Sequence, residues 1–232
     1  MSHELSMNTN GNAELILADV GAWHSLGTVV SGAQNAEAAM AIACPWSAEK
    51  LALFAHAHAH LAEKWGSHFF RTEQHGIFRS DTGALIGTVG AGYEVIQPSH
   101  QFDWVDSILE GSGYHYETAG ALRGGSVLFV LARVGEFSVG DGDVHRTYLA
   151  FLNSFDGSIA AQSYLTTTRV VCMNTAKVSL KNAENTVRYR HTKNVHARLS
   201  NAKNLAQSAA QTLSTLQEKL NILAKRSIVR KE

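Results

Sequence analysis

Apolar positions fall into two regimes along the chain, one of helical spacing and one of short alternating runs. Residues 35–44, "NAEAAMAIAC", are alanine-rich, carry Met40 and Ile42, and stop at Pro45, which predicts a helix. A second helix is expected over residues 47–65, "SAEKLALFAHAHAHLAEKW", from a serine cap followed by good helix formers, with a strand for its later half as the alternative. From residue 68 the pattern shortens. "HFFRTE", "GIFRS", "ALIGTVG" and "YEVI" are strand-like runs, and "DTG" is a turn between the second and third.

Residues 99–113 return to helical spacing through Phe102, Val105, Ile108 and Leu109. Four more strands follow, "YHYETAGAL", "GGSVLFVLARV", "VHRTYLAFLNS" and "SIAAQSYLTTTRVVC", separated by "RGG", "GDGD" and "FDG". Short turns between consecutive strands predict an antiparallel meander. The expected fold class is therefore α+β, mainly antiparallel sheet with packed helices. Leu199, Ala202, Ala206, Ala209, Leu213, Leu216, Leu220 and Leu223 then trace a heptad seam in a segment, 197–226, free of glycine and proline. The expected organisation is a loosely held N-terminus over residues 1–20, a core over 21–196 and a long C-terminal helix over 197–232.

Charge sharpens this picture. Lys plus Arg and Asp plus Glu both number 20, yet residues 1–164 hold 7 basic against 17 acidic residues. Residues 165–232 hold the remaining 13 and 3. A basic C-terminal third suits a polyanionic partner, or an acidic half of a second copy in a homo-oligomer. No apolar run reaches membrane-span length, so no membrane partner is expected, and the two cysteines and the absence of a signal-like start suit a reducing cytoplasm.

The basic third begins at "LTTTRVVCMNT", residues 165–175, which reads as a strand running into a helix capped by Asn174 or Thr175. A helix start offers free N–H groups, so Arg169 and Lys177 are candidate phosphate ligands there. Lys181, Arg188, Arg190, Lys193 and Arg198 extend the run. Arg188 and Arg190 alternate about Tyr189, which sets two cations on one face of a strand and leaves the ring to pack or to stack on a base.

Other chemistry is thinner. His56, His58 and His60 alternate, but no further ligand pattern completes a zinc or iron site, so no metal and no cofactor are expected. Asp103, Asp106 and Glu110 share a helical face that solvent explains. "AGALRGGS" lacks the order of a phosphate-binding nucleotide loop, "DGD" and "SFDGS" lack a calcium ladder, and no catalytic constellation is formed.

The blocks "AWHSLGTVV", "FRSDTGALIGTVGAGYEVIQ", "AGALRGGSVLFVLARV", "LNSFDGS", "TTRVVCMNT" and "RYRHTKN" occur in the order seen in phage- and plasmid-like proteins of the domain-of-unknown-function family nine-three-two, which the chain resembles over about residues 22–205. The resemblance implies a phage, prophage or plasmid setting and carries no activity or site residues. Phe155 stands where that family usually has histidine. The order of elements also resembles, more weakly, phage single-strand annealing proteins. The leading expectation is a non-enzymatic, homo-oligomeric protein that binds single-stranded nucleic acid and promotes annealing in recombination. The second is an interaction protein that inhibits a host defence complex, and the last is a metal-dependent enzyme built on the three histidines.

Overall fold

The computed structural model describes residues 3–31, 35–109, 115–139 and 143–195, together with Ala197, Glu218 and Ile222. Its backbone centres on β7 (Val127–Val139), whose apolar run is long because both of its faces are covered. Leu128, Val130, Ala132 and Val134 enter one core, and Val127, Phe129 and Leu131 enter another on the opposite face. Such double burial replaces the usual apolar–polar alternation by a continuous apolar stretch.

Around β7 lie β6 (His115–Leu122), β8 (Asp143–Ser154) and β9 (Ala161–Thr166), the antiparallel meander expected from the turns. β10 (Glu184–Tyr189) pairs antiparallel with β9 and closes one side. β1 (Leu15–Ala18) pairs antiparallel with β6 and parallel with β2 (Thr28–Val30). The resulting seven-stranded sheet runs β10-β9-β8-β7-β6-β1-β2. A second sheet, β3-β4-β5, is built from Ala48–His56, Phe69–Arg79 and Leu85–Gly90.

Helices α1 (Ala36–Ala43) and α3 (Pro98–Leu109) lie over one face of the large sheet, and α4 (Met173–Lys181) over the other. The first core joins α1, α3 and the small sheet through Ala39, Phe102, Val105, Ile77 and Ile86. The second collects Leu15, Leu17, Phe129, Tyr164, Met173 and Ala176 beneath α4. α1 begins at Asn35, whose side chain accepts from the Ala38 N–H at 2.9 Å, and it ends before Pro45 as expected.

Four expectations are corrected. Residues 47–65 do not form one helix. Cross-strand pairing with β4 holds 48–56 extended, and only α2 (Ala59–Trp65) is helical, ending on Gly66 in the left-handed region. Tertiary pairing here overrides the helix propensity of alanine and leucine. Residues 1–20 are not loose throughout, because β1 is fully buried and inserted between β6 and β2. "YEVI" is not a strand, and β4 is one strand with register shifts rather than two. The heptad segment falls almost entirely outside the described residues.

Candidate nucleic-acid interface

The strand-to-helix junction at 165–175 is real, but several of its polar groups are already partnered. Residues 161–166 form β9, a turn follows, and α4 starts after Cys172, so the cap lies two or three residues earlier than expected. Thr175 still serves the cap. Its hydroxyl accepts from the N–H groups of Val171 and Cys172, at 2.9 and 3.1 Å, and donates to the Cys172 carbonyl at 3.0 Å. The Met173 N–H donates to the His3 carbonyl at 3.0 Å. A helix start whose donors are used in this way has less to offer an anion.

Arg169 is likewise committed. Its Nε lies 2.6 Å from Glu117 Oε1, and its Nη2 donates to the carbonyls of Ala18 and Val20 at 3.1 and 2.8 Å. Glu117 is almost fully buried on β6 and also accepts from Arg133 Nε at 2.7 Å. Arg169 therefore neutralises a buried carboxylate and ties the end of β1 to the turn before α4. This corrects its reading as a phosphate ligand.

Tyr189 is corrected in the same way. It is 3% exposed, its ring stacks on Phe151 with centroids 5.9 Å apart, and its hydroxyl lies 2.8 Å from Ser163 Oγ. Burial pushes its phenol above the ordinary value. Of the expected alternation β10 holds Arg188 and Tyr189 and ends there, so Arg190 lies beyond the strand, and the ring faces the core and not a ligand.

The remaining cations lie differently. α4 buries Met173, Ala176 and Ser179 and leaves Lys177 and Lys181, one turn apart, exposed. Arg188 on β10 projects to the face opposite Tyr189, which is the face that α4 covers, and its Nε is 3.5 Å from Gln162 Oε1. Arg190 and Lys193 follow directly and are exposed. Among the described residues β10 pairs with β9 alone, so this group borders a sheet edge. Lys177, Lys181, Arg188, Arg190 and Lys193 make no ion pair with a described residue, whereas Arg79, Arg123, Arg133, Arg146 and Arg169 each hold a carboxylate. Arg198 lies outside the described residues.

The chain leaves β10 through His191, which is stacked on Tyr93 at 4.2 Å with 11° between the planes. His191 Nδ1 donates to the Glu94 carbonyl at 2.9 Å, and the Glu94 N–H returns a bond to the His191 carbonyl at 3.1 Å. Burial holds the imidazole below its ordinary value, against the opposing effect of the Glu94 carbonyl. The basic run is thus fixed at both ends, by the α4 packing and by this clasp.

His56, His58 and His60 do not converge. His56 ends β3 and stacks near His68 and Phe69, His58 precedes α2, and His60 lies within it. Among the described residues no group of three or more histidine, cysteine or acidic side chains is arranged to hold a metal. Both cysteines are buried and free. Asp106, expected on a solvent face, instead accepts from the Tyr116 hydroxyl at 2.5 Å and from the Ala36 N–H at 3.1 Å, which pins α3 to β6 and to the start of α1.

Comparison with known families decides one point. A family model described as Domain of unknown function (DUF932) matches residues 85–232, well over half of the chain. The chain belongs to this family. The DUF932 match spans β5 to the C-terminus and so includes the whole meander, α4 and the basic run. No curated protein and no solved structure matches the chain. No helix among the described residues is long and apolar enough to cross a membrane.

Proposed function

We propose that this DUF932 protein binds single-stranded nucleic acid without sequence preference along the α4–β10 edge, and that it serves strand annealing in phage or plasmid recombination in a bacterial cytoplasm. The observation that carries this reading is the contrast in pairing. Lys177, Lys181, Arg188, Arg190 and Lys193 stand exposed without a described carboxylate partner, whereas the other described arginines, Arg71 apart, each hold a carboxylate. Exposed, uncompensated cations along one edge attract a polyanion and release its counterions. Neither Arg169 nor Tyr189 takes part in binding, no catalysis is required, and a homo-oligomer would repeat the edge along a strand.

The test is binding of a fluorescent single-stranded oligonucleotide, with a duplex of the same length as comparator, by wild type and by the Arg188→Ala/Arg190→Ala variant. Binding that prefers the single strand and weakens in the variant supports the proposal. Absence of binding at low salt by folded protein rejects it and favours a protein partner, such as a host defence complex.

A further inference from the structure

Trp23 is 71% exposed, the highest value of any large apolar side chain among the described residues. Single exposed apolar residues are ordinary on a protein surface, but this ring is held in a fixed position. It meets the rings of His3 and His24 edge-on, with centroids 4.8 and 5.3 Å apart and 64° and 63° between the planes. His3 and His24 also meet each other, at 4.8 Å. Both supports are tied to the start of α4. The His3 carbonyl accepts from the Met173 N–H at 3.0 Å. His24 Nε2 donates to the Val171 carbonyl at 3.1 Å, while its Nδ1 accepts from the Leu26 N–H at 3.2 Å, so both ring nitrogens fix its orientation. A rigid, exposed aromatic face therefore stands beside the N-terminal end of α4.

From Trp23, α4 leads to the basic edge. Its N-terminal end lies over β6, where the Thr118 hydroxyl donates to the Val170 carbonyl at 2.7 Å, and its C-terminal end lies over β9, where Ser179 meets the Tyr164 hydroxyl. The helix thus crosses the sheet from the β1 side to the β10 side, its nine residues covering about 13 Å. Lys177 and Lys181 are exposed along it, and Arg188 projects on the same side of the sheet. Asp19, the acidic residue of the Trp23 loop, lies 3.8 Å from Arg133 Nη2. A line of cations that ends on an exposed aromatic ring suits a single strand, the cations following its phosphates and the ring stacking a base. Bases inside a duplex are already stacked and offer no face to such a ring.

We infer that Trp23 is a base-stacking residue of the interface: the strand runs over the outward side of α4, from Arg188 past Lys181 and Lys177, and one base stacks on the Trp23 ring. Trp23 supplies the aromatic platform that the buried Tyr189 does not. The inference rests on the proposed binding of single-stranded nucleic acid and adds to it a contact that is not electrostatic.

The test is a titration of wild type, Trp23→Ala and Trp23→Phe with a fluorescent single-stranded oligonucleotide and with an abasic strand of the same length and charge, each at several salt concentrations. Trp23→Ala should bind the oligonucleotide roughly 5- to 150-fold more weakly at every salt concentration, with the salt slope unchanged, and should bind the abasic strand as wild type does. Trp23→Phe should retain most of the affinity. Two results overturn the inference and leave the α4–β10 edge standing: an equal loss on both strands, or full affinity in Trp23→Ala while wild-type binding is salt-sensitive. Absence of wild-type binding at low salt overturns both.

Discussion

Glu14 and Arg79 form a two-pronged ion pair inside the protein, with Nη2 2.5 Å from Oε1 and Nη1 2.9 Å from Oε2, and they are 0% and 3% exposed. Glu14 immediately precedes β1 of the large sheet and Arg79 ends β4 of the small one, so the pair joins the two sheets. Asp81 takes the Nε and the other side of Nη2, and the guanidinium lies 4.5 Å from the centre of the Trp46 ring. Burial alone would lower the pKa of Arg79, but the hydrogen bonds that it donates to Asp81 and Glu14 outweigh it and hold the charge more firmly than usual.

Arg79→Met should therefore destabilise by about 3–5 kcal/mol, because Glu14 is left buried and unpaired. Glu14→Met/Arg79→Met should recover most of this loss, since an apolar pair of similar volume removes the stranded charge. Urea unfolding of the three proteins measures both effects.

Arg169→Gln should cost about 1–3 kcal/mol through the carbonyls and the Glu117 carboxylate it abandons. It should leave oligonucleotide affinity and its salt dependence unchanged. Thermal unfolding alongside the binding titration separates these outcomes, and a loss of binding in a variant of undiminished stability would restore Arg169 to the interface.

Tyr189→Phe should lose about 1 kcal/mol from the bond to Ser163 and leave binding intact. Were Tyr189 a stacking residue, the same variant would still stack, so Tyr189→Leu provides the second arm. It should destabilise the core without altering the relative affinities of pyrimidine and purine strands.

His191 gives stability a pH dependence of known sign. Its folded value lies below the ordinary 6.5, so the unfolded chain takes up the proton first. The stabilisation is complete above about pH 6.5 and is lost as pH falls through the lower folded value, by at most about 1.4 kcal/mol per pH unit. His191→Phe should keep the stack on Tyr93 and remove this component, which unfolding midpoints between pH 7 and pH 5 would show.

The meander was legible because turn-forming "RGG" and "FDG" punctuate apolar runs, and α1 because Asn35 and Pro45 bracket it. The 47–65 stretch was not, since the alanines and leucines of β3 favour a helix locally and are held extended only by their pairing with β4. The basic run of Lys177, Lys181, Arg188, Arg190 and Lys193 is a feature of the sequence itself, to which the structure adds that all five are exposed. The fate of Arg169 could not. Its partners, Glu117 and the carbonyls of Ala18 and Val20, lie 52, 151 and 149 positions earlier in the chain. Nor was the Glu14–Arg79 link visible, for it spans 65 positions; the only local sign was Asp81, two residues beyond the arginine in "FRSD".

The most direct measurement of the central claim is the salt dependence of single-strand affinity. If Lys177, Lys181, Arg188, Arg190 and Lys193 all neutralise phosphates, log affinity should fall against log salt with a slope of about −3.5, and Arg188→Ala/Arg190→Ala should flatten it by about 1.4. A slope near zero, or the same slope in wild type and variant, would contradict the α4–β10 edge as the interface.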